Sequence, residues 1–334
     1  MEQGAKRYVF GPVMSGRLGR SLGLDLLGSR ICSMNCAYCE AGPLKRLTVT
    51  REPYVPAEAV LDELRAWDEE RRDRGEPLPD AVTLGGLGEP TLNSDMPRII
   101  AGARAILPGV PVAVLTNASL MPDPAVRAEL ALADAVLPSL DSLVPEEFAR
   151  VNRGHRSLDC AAIAEGILAF RRESAARVYL EVLLVAGVND SDRNLALLKE
   201  FCTRLAPHRV DVTTLSRPGT EDWARPVDPA TLARWRSELT PLAARSGEAS
   251  PGIGAGLADT AEKGQEQCGA MSMVEARARI QASLARRPQT AAQLSRALLA
   301  DPALVARALA GLVADGLAVE SRREGAEVYF QTRG

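Results

Sequence analysis

Cys32-Ser-Met-Asn-Cys36-Ala-Tyr-Cys39 spaces three cysteines as C-x3-C-x2-C on one short stretch. That loop supplies three soft thiolates and no fourth ligand of its own. Structural zinc normally takes four ligands, as paired C-x2-C motifs or with histidines. The chain has two histidines, His155 and His208, both far off in sequence. Three thiolates suit three irons of a cubane [4Fe–4S] cluster and leave the fourth iron open to an exogenous ligand. An open position is what separates catalytic from closed metal sites. A zinc site completed by a distant ligand is the alternative reading of the loop.

Outward from the loop, strand-like and helix-like segments alternate. Ser21-Leu-Gly-Leu-Asp-Leu-Leu27 reads as a strand delivering the chain into the cysteines. Val60, Leu61, Leu64 and Trp67 have helical spacing within Pro56 to Arg72. Strands are then expected at 81–84, 111–116, 133–140, 177–185 and 210–215, and helices at 95–105, 123–132, 158–171 and 192–205. Repeated strand–helix units require parallel strands joined by right-handed crossovers. Six such strands do not close an eight-stranded barrel. The expected class is therefore α/β, a partial (β/α)6 barrel, open and TIM-like, over residues 1–242. Chemistry should collect on loops after the strand C-termini.

The cysteine loop, with Tyr38 before its last cysteine, resembles the signature of radical S-adenosylmethionine (SAM) enzymes, and the likeness runs from residue 9 to about 225. In that family three cysteines hold a [4Fe–4S] cluster, here Cys32, Cys36 and Cys39. Its open iron binds the amino and carboxylate groups of S-adenosylmethionine. One electron then cleaves a C–S bond, giving methionine and a 5′-deoxyadenosyl radical that abstracts hydrogen from a substrate. The resemblance implies an electron donor such as flavodoxin or ferredoxin.

Further segments match in order. Gly85-Gly-Leu-Gly-Glu-Pro-Thr91 resembles the family's G-x-G-E-P-T segment that receives the methionine amino group, with Gly88 and Glu89 as contacts. It also reads as a plain strand-to-helix turn. Leu115-Thr-Asn-Ala-Ser119 offers Thr116 and Asn117 to cofactor or substrate, although Thr116 equally caps the loop. Leu137-Pro-Ser-Leu-Asp141 resembles the family's ribose-side strand end. Ser139 and Asp141 would share a strand face by alternation, either one meeting the ribose and Ser139 for preference, although Asp141 equally reads as a cap of the following helix. Leu183-Leu-Val-Ala-Gly-Val-Asn-Asp190 resembles the adenine-side segment, where the backbone at Gly187 and Val188 would flank the base. Asn189 and Asp190 equally read as the N-cap region of the next helix. Arg217, after the last strand, would face the open end of the barrel.

The stretch Gly11-Pro-Val-Met-Ser-Gly-Arg-Leu-Gly-Arg-Ser-Leu-Gly23 is no dinucleotide fingerprint, because its glycine spacing is wrong and it precedes the strand. It resembles the lead-in of the radical SAM branch that includes the tRNA wyosine-base enzyme. Arg17 and Arg20 would then meet a phosphate or carboxylate, or else hold the barrel mouth closed. That enzyme's extra N-terminal cysteines are missing: none precedes Cys32, and Cys160, Cys202 and Cys268 are isolated. Cys160 and Cys202 fall in helices as small core residues.

Composition is ordinary for a globular chain, with 46% hydrophobic and 25% charged residues. A net charge of −3 gives no global pull toward nucleic acid. No apolar run is long enough to span a membrane, and thiols that ligate iron point to the cytoplasm.

Residues 243–271 read as a flexible, glycine-rich linker. Residues 272–334 read as a small winged-helix-like module of three helices and a hairpin turning at Arg322-Arg-Glu-Gly325. Its nine arginines against six acids give it +3. The third helix carries none of the Asn, Gln or Lys residues that read bases. Phosphate contact through Arg322 and Arg323, or docking of a peptide or protein, fits better. The substrate classes in view are RNA, as in tRNA modification, and a peptide or protein, including a glycyl-radical enzyme. A non-enzyme alternative is an iron–sulfur sensor that binds DNA.

Overall fold

The computed structural model describes residues 8–215, 219–243, 271–285, 288–322 and 328–332. The chain opens with β1 (Val9–Ser15) and β2 (Gly19–Leu24). Two short strands flank the cysteine loop, β3 (Ile31–Cys32) and β4 (Arg46–Leu47). Alternation follows through α1 (Ala57–Asp73), β5 (Ala81–Leu84), α2 (Met96–Ile106), β6 (Val112–Thr116), α3 (Pro124–Leu130) and β7 (Ala135–Pro138). It continues through α4 (Pro145–Val151), α5 (Cys160–Glu173), β8 (Arg177–Leu184), α6 (Asp192–Leu205), β9 (Arg209–Thr214) and α7 (Pro229–Leu239).

The main sheet has seven strands in the order β1-β2-β5-β6-β7-β8-β9. From β2 to β9 all pairings are parallel, so the six parallel strands expected of a partial barrel are present. The lead-in supplies a seventh strand that the sequence did not announce. It forms β1, antiparallel to β2, across a turn where Ser15 Oγ accepts from the amides of Arg17 and Leu18. The strand expected to reach Leu27 stops at Leu24. There the Asp25 carboxylate accepts from the amides of Leu27 and Gly28 and turns the chain. Helices α4 and α7 were also unforeseen; each starts with proline in its first turn, and Asp228 caps α7.

Alternation assigns the two faces of the sheet. Leu22, Leu24, Val82, Leu84, Val112, Val114, Val136, Leu180, Val182 and Val212 join the core with Leu64, Ile99, Ile163, Phe170, Leu198 and Trp235 of the helices. Each such side chain contributes about 1.5–3 kcal/mol by leaving water. The intervening residues point to the concave face. Its floor is small and apolar, packing Ala81, Ala113, Ala135, Leu137 and Tyr179 around Leu18. Toward β8 and β9 it becomes charged: Glu181 pairs with Arg17, and Arg209 with Asp211.

The C-terminal residues form α8 (Met273–Leu284), β10 (Gln289–Thr290), α9 (Ala291–Leu298), α10 (Pro302–Ala314), β11 (Ala318–Arg322) and β12 (Val328–Thr332). The hairpin gains a third strand, in the order β10-β12-β11. The helices share an apolar core of their own around Ile280, Leu294, Val305, Leu309 and Leu312. Helices α8 and α9 lie against β1. Arg279 of α8 donates to Glu76 at 2.8 Å, in the loop before β5. Glu76 thus sits at the strand N-termini, the end opposite the cysteine loop. The expected linker over 243–271, apart from its two end residues, lies outside the described residues, as do Arg217, Cys268 and Arg323.

Burial raises the Glu76 carboxyl, but Arg279 and Arg74 outweigh it and hold the group below the ordinary carboxylate value. Its contribution is therefore present at neutral pH and lost as pH falls through the carboxylate range. Arg279→Ala should weaken the contact by ~1 kcal/mol, the scale of one half-buried charged hydrogen bond. Protection of β1 amides from hydrogen exchange, corrected for the intrinsic rate at each pH, should fall in the variant, and in the parent on acidification. Unchanged protection in both would mean that apolar packing alone holds the contact.

Candidate functional site

The cysteine loop follows β2 and is strapped from three sides. The amide of Ala37 donates to Val151 O, and that of Asn35 to Asn152 O, at the end of α4. Thr48 N donates to Cys32 O, next to β4. Glu221 N donates to Ala37 O, and Thr220 Oγ1 to Cys39 O, from the segment before α7. Arg153 fastens two of these straps together, donating to Asn35 O at 2.6 Å and to Glu221 at 2.6 Å. Beneath the loop, Ala37 is buried with Val151, Val185, Val188, Leu215 and Ala224. Two glycines permit the close approach. A side chain at Gly88, whose φ is +150°, would collide with the Ile31 carbonyl; one at Gly219 would come within 2.8 Å of the Tyr38 backbone.

Two buried carboxylates organise the polar contacts. Glu89 is 1% exposed. Its Oε1 accepts from Thr91 N, Thr91 Oγ1 and Thr116 Oγ1, and its Oε2 from Asn117 N at 2.7 Å. It therefore ties the end of β5 to the end of β6. Asp141, also 1% exposed, accepts from Tyr38 Oη at 2.6 Å, Asn152 Nδ2 at 2.7 Å and Leu183 N at 2.9 Å. Its backbone carbonyl accepts from Asn189 and Asn194. Burial pushes the carboxyls of Glu89 and Asp141 up, against the pull of these donors.

These contacts revise several expectations. Ser139 and Asp141 do not share a strand face, because β7 ends at Pro138. Ser139 pairs with Glu181 across the sheet, while the Asp141 carboxylate is spent on Tyr38, Asn152 and Leu183 instead of facing a ribose. Glu89 turns its side chain inward and leaves only its backbone beside Gly88 on the loop. Thr116 is buried against Glu89. Asn117 reaches the cysteine loop, donating to Cys32 Sγ at 3.4 Å and Ser33 Oγ at 2.9 Å. Val188 packs its side chain under the loop, and an added side chain at Gly187 would meet open space. Asn189 is not the cap of α6; it is wholly buried, and Ser191 caps the helix. Arg17 is taken by Glu181, and Arg20 donates to Leu78 O, with the Asp80 charge beside it. Cys160 and Cys202 are buried core residues.

Sequence reading missed Asn152, which donates to Cys36 Sγ at 3.5 Å, and Arg153. Asparagine after a helix reads as an ordinary C-terminal residue, so no local signal marked it.

The three thiols share one neighbourhood, since Cys36 feels the charge of both Cys32 and Cys39. Burial and Glu89 push Cys32 up to about 12; burial and Asp141 push Cys36 higher still. Iron must displace those protons on binding. Among the described residues no group of three His, Cys, Asp or Glu is placed to hold a single metal ion. Three thiols with N–H donors at two sulfurs fit a cubane cluster.

The family model described as Radical SAM superfamily matches residues 26–198. A UPF0026 protein of Helicobacter pylori is 37% identical over 216 residues, which cover 64% of this chain and 67% of that one. A protein of Brachyspira hyodysenteriae described as GTPase Obg is 32% identical over 219 residues, covering 66% of this chain. The chain spans just 31% of that relative's length. The crystal structure of a radical SAM methyltransferase from Sphaerobacter thermophilus superimposes with a TM-score of 0.51 at 20% identity, covering 70% of this chain and 67% of the other. That likeness concerns the fold.

Gly88→Ala should displace β3 and cost roughly 2–4 kcal/mol, because both the backbone conformation and the contact forbid a side chain. Iron retained after anaerobic reconstitution should fall with it. A Gly88→Ala protein with parental melting temperature and iron content would show that the Ile31 contact yields.

Proposed function

The chain belongs to the radical SAM superfamily, and from that premise we propose that it abstracts hydrogen from a substrate whose reacting part enters the concave face beneath the cysteine loop. Cys32, Cys36 and Cys39 would hold the [4Fe–4S] cluster. When bound, the cluster supplies the electron that cleaves S-adenosylmethionine to the 5′-deoxyadenosyl radical. The remaining work belongs to the chain. The Gly88–Glu89 backbone lies beside β3 and is free of the Glu89 side chain, which suits it to receive the methionine end. Tyr38 is held by Asp141, so the aromatic before the last cysteine keeps one orientation. Ser139 stands at the end of β7, between the loop and Glu181.

The observation that carries the substrate reading is the concave wall itself. Arg17, Glu181, Arg209 and Asp211 make one side charged, while the floor is closed by Leu18 and small residues. Such a wall recognises a compact polar group by paired charge and hydrogen bonds. RNA remains the first substrate class on the likeness of the lead-in. Arg17 enters that wall already paired with Glu181, and Arg20 donates to Leu78 O, so recognition would run through the paired wall and not through unpartnered arginines meeting phosphate. The second reading, a peptide or protein, draws on the C-terminal helices docked at β1.

With a strong reductant, the reconstituted protein should release 5′-deoxyadenosine, and S-adenosylmethionine should alter the cluster's electron paramagnetic resonance spectrum. An unchanged spectrum would defeat the open-iron assignment. Adding a tRNA fraction should stimulate release; stimulation by a protein fraction alone would favour the second reading. Glu181→Gln should cut the stimulated rate by about tenfold, equivalent to ~1.4 kcal/mol. A parental rate in that variant would remove the wall from recognition.

A further inference from the structure

Two of the three cysteines receive a side-chain amide N–H from an asparagine that a buried carboxylate also binds, Asn152 through that same side-chain nitrogen and Asn117 through its backbone N–H. Asn117 donates to Cys32 Sγ, and its own backbone amide is bound by Glu89 Oε2. Asn152 donates to Cys36 Sγ and, from the same nitrogen, to Asp141 Oδ2. The two asparagines come from different elements, one from the end of β6 and one from the end of α4. The arrangement carboxylate–asparagine–sulfur is thus built twice. We propose that Asn117 and Asn152 are positioning residues that raise the reduction potential of the cluster held by Cys32, Cys36 and Cys39. This rests on the cluster reading of the loop given above.

Charge fixes which way the Asn152 amide points, and neutral hydrogen bonds fix that of Asn117. Turning Asn152 over would set its oxygen against both the Asp141 carboxylate and the Cys36 sulfur. In the observed orientation both N–H groups are used, and its carbonyl oxygen is buried without a partner. A buried acceptor left unpaired costs about 1–3 kcal/mol. The position keeps that cost because the two N–H bonds to anionic partners outweigh it. The Asn117 oxygen is occupied by Ser119 N at 3.0 Å and faces Ser33 Oγ at 3.3 Å, leaving its nitrogen for Ser33 Oγ and Cys32 Sγ.

An N–H donor withdraws charge from a thiolate sulfur and favours the more negative, reduced state of a cluster. Glu89 and Asp141 act in the opposite direction through their charge. Removing either amide deletes a donor; at Asn152, whose side-chain nitrogen bridges Asp141 and Cys36, it also leaves the sulfur facing the carboxylate. Asn152 is 4% exposed, which leaves little room for water to replace it.

The test begins with iron analysis and electron paramagnetic resonance of the reconstituted parent. If the parent holds no [4Fe–4S] cluster, the reading of the loop fails and the proposal falls with it. Given a cluster, Asn117→Leu and Asn152→Leu are each titrated with redox mediators. At the potential where the parent is half reduced, the reduced-to-oxidised ratio should fall about tenfold in each variant, a 59 mV shift for one electron. Asn152→Gln, which keeps an amide donor, should recover part of that loss. Parental potentials in both leucine variants would overturn the proposal, since a merely structural role would not move them selectively. A second measurement needs no variant. The parent grown with asparagine 15N-labelled at the side-chain amide should show 15N coupling to the reduced cluster by pulsed resonance. Absence of coupling would overturn the proposal even where a variant loses iron.

Discussion

Asp141 keeps its carboxylate out of water and accepts hydrogen bonds there from Tyr38, Asn152 and Leu183. Those donors belong to the cysteine loop, to the end of α4 and to β8, which are 103, 11 and 42 residues away along the chain. A lone buried carboxylate is costly. Each bond to a charged group returns about 1.5–3 kcal/mol, so the site holds only while all three segments converge. The loop's geometry is therefore set by a residue outside it. Glu89 plays the matching part on the other side, joining β5 to β6 and fixing Asn117 against Cys32. The cysteines sit between two carboxylate-centred clamps, and the sheet's role is to bring the clamps to one edge.

Much of this frame was legible before the structure. Alternation such as Ala81-Val-Thr-Leu84 assigns one face to helices and one to the concave side, and helical spacing in α1 was plain. The cysteine spacing located the site without help. Gly88 was readable as a contact to the ligand; that its backbone closes on Ile31 was not. What stayed hidden is what depends on distant pairs. Asn152 meets Cys36 across 116 residues, and Arg17 meets Glu181 across the barrel. Nothing local distinguishes an asparagine that ends a helix from one that also serves a sulfur. The error at Asp141 has a similar origin. Alternation holds only while the strand lasts, and β7 stops three residues earlier, at Pro138.

The lead-in shows how a matched motif can leave its role open. Its arginines could meet a ligand or hold the barrel mouth closed, and the structure favours the second. In the fold it is a strand and a turn, with Gly23 covered by the Phe10 ring and Arg17 committed to Glu181. The segment closes one side of the concave face and lends it a charge. A sequence resemblance of that kind can therefore mark a shared wall of the barrel without marking shared contacts to a substrate.

That wall also bears on the C-terminal helices. A half barrel leaves two sheet edges that a closed barrel would pair with each other, and an exposed edge invites unwanted strand pairing. At one edge α7 packs on β9; at the other α8 and α9 lie against β1. The ion pair between Arg279 and Glu76 secures the second contact at the end of the barrel away from the cysteines. Covering an edge is work that needs no substrate. If the helices also docked a macromolecule, their surface away from β1 would have to do it, at a distance from the cysteine loop. The cover comes first physically: β1 carries Phe10 and leads into Arg17, so whatever steadies β1 steadies the concave wall.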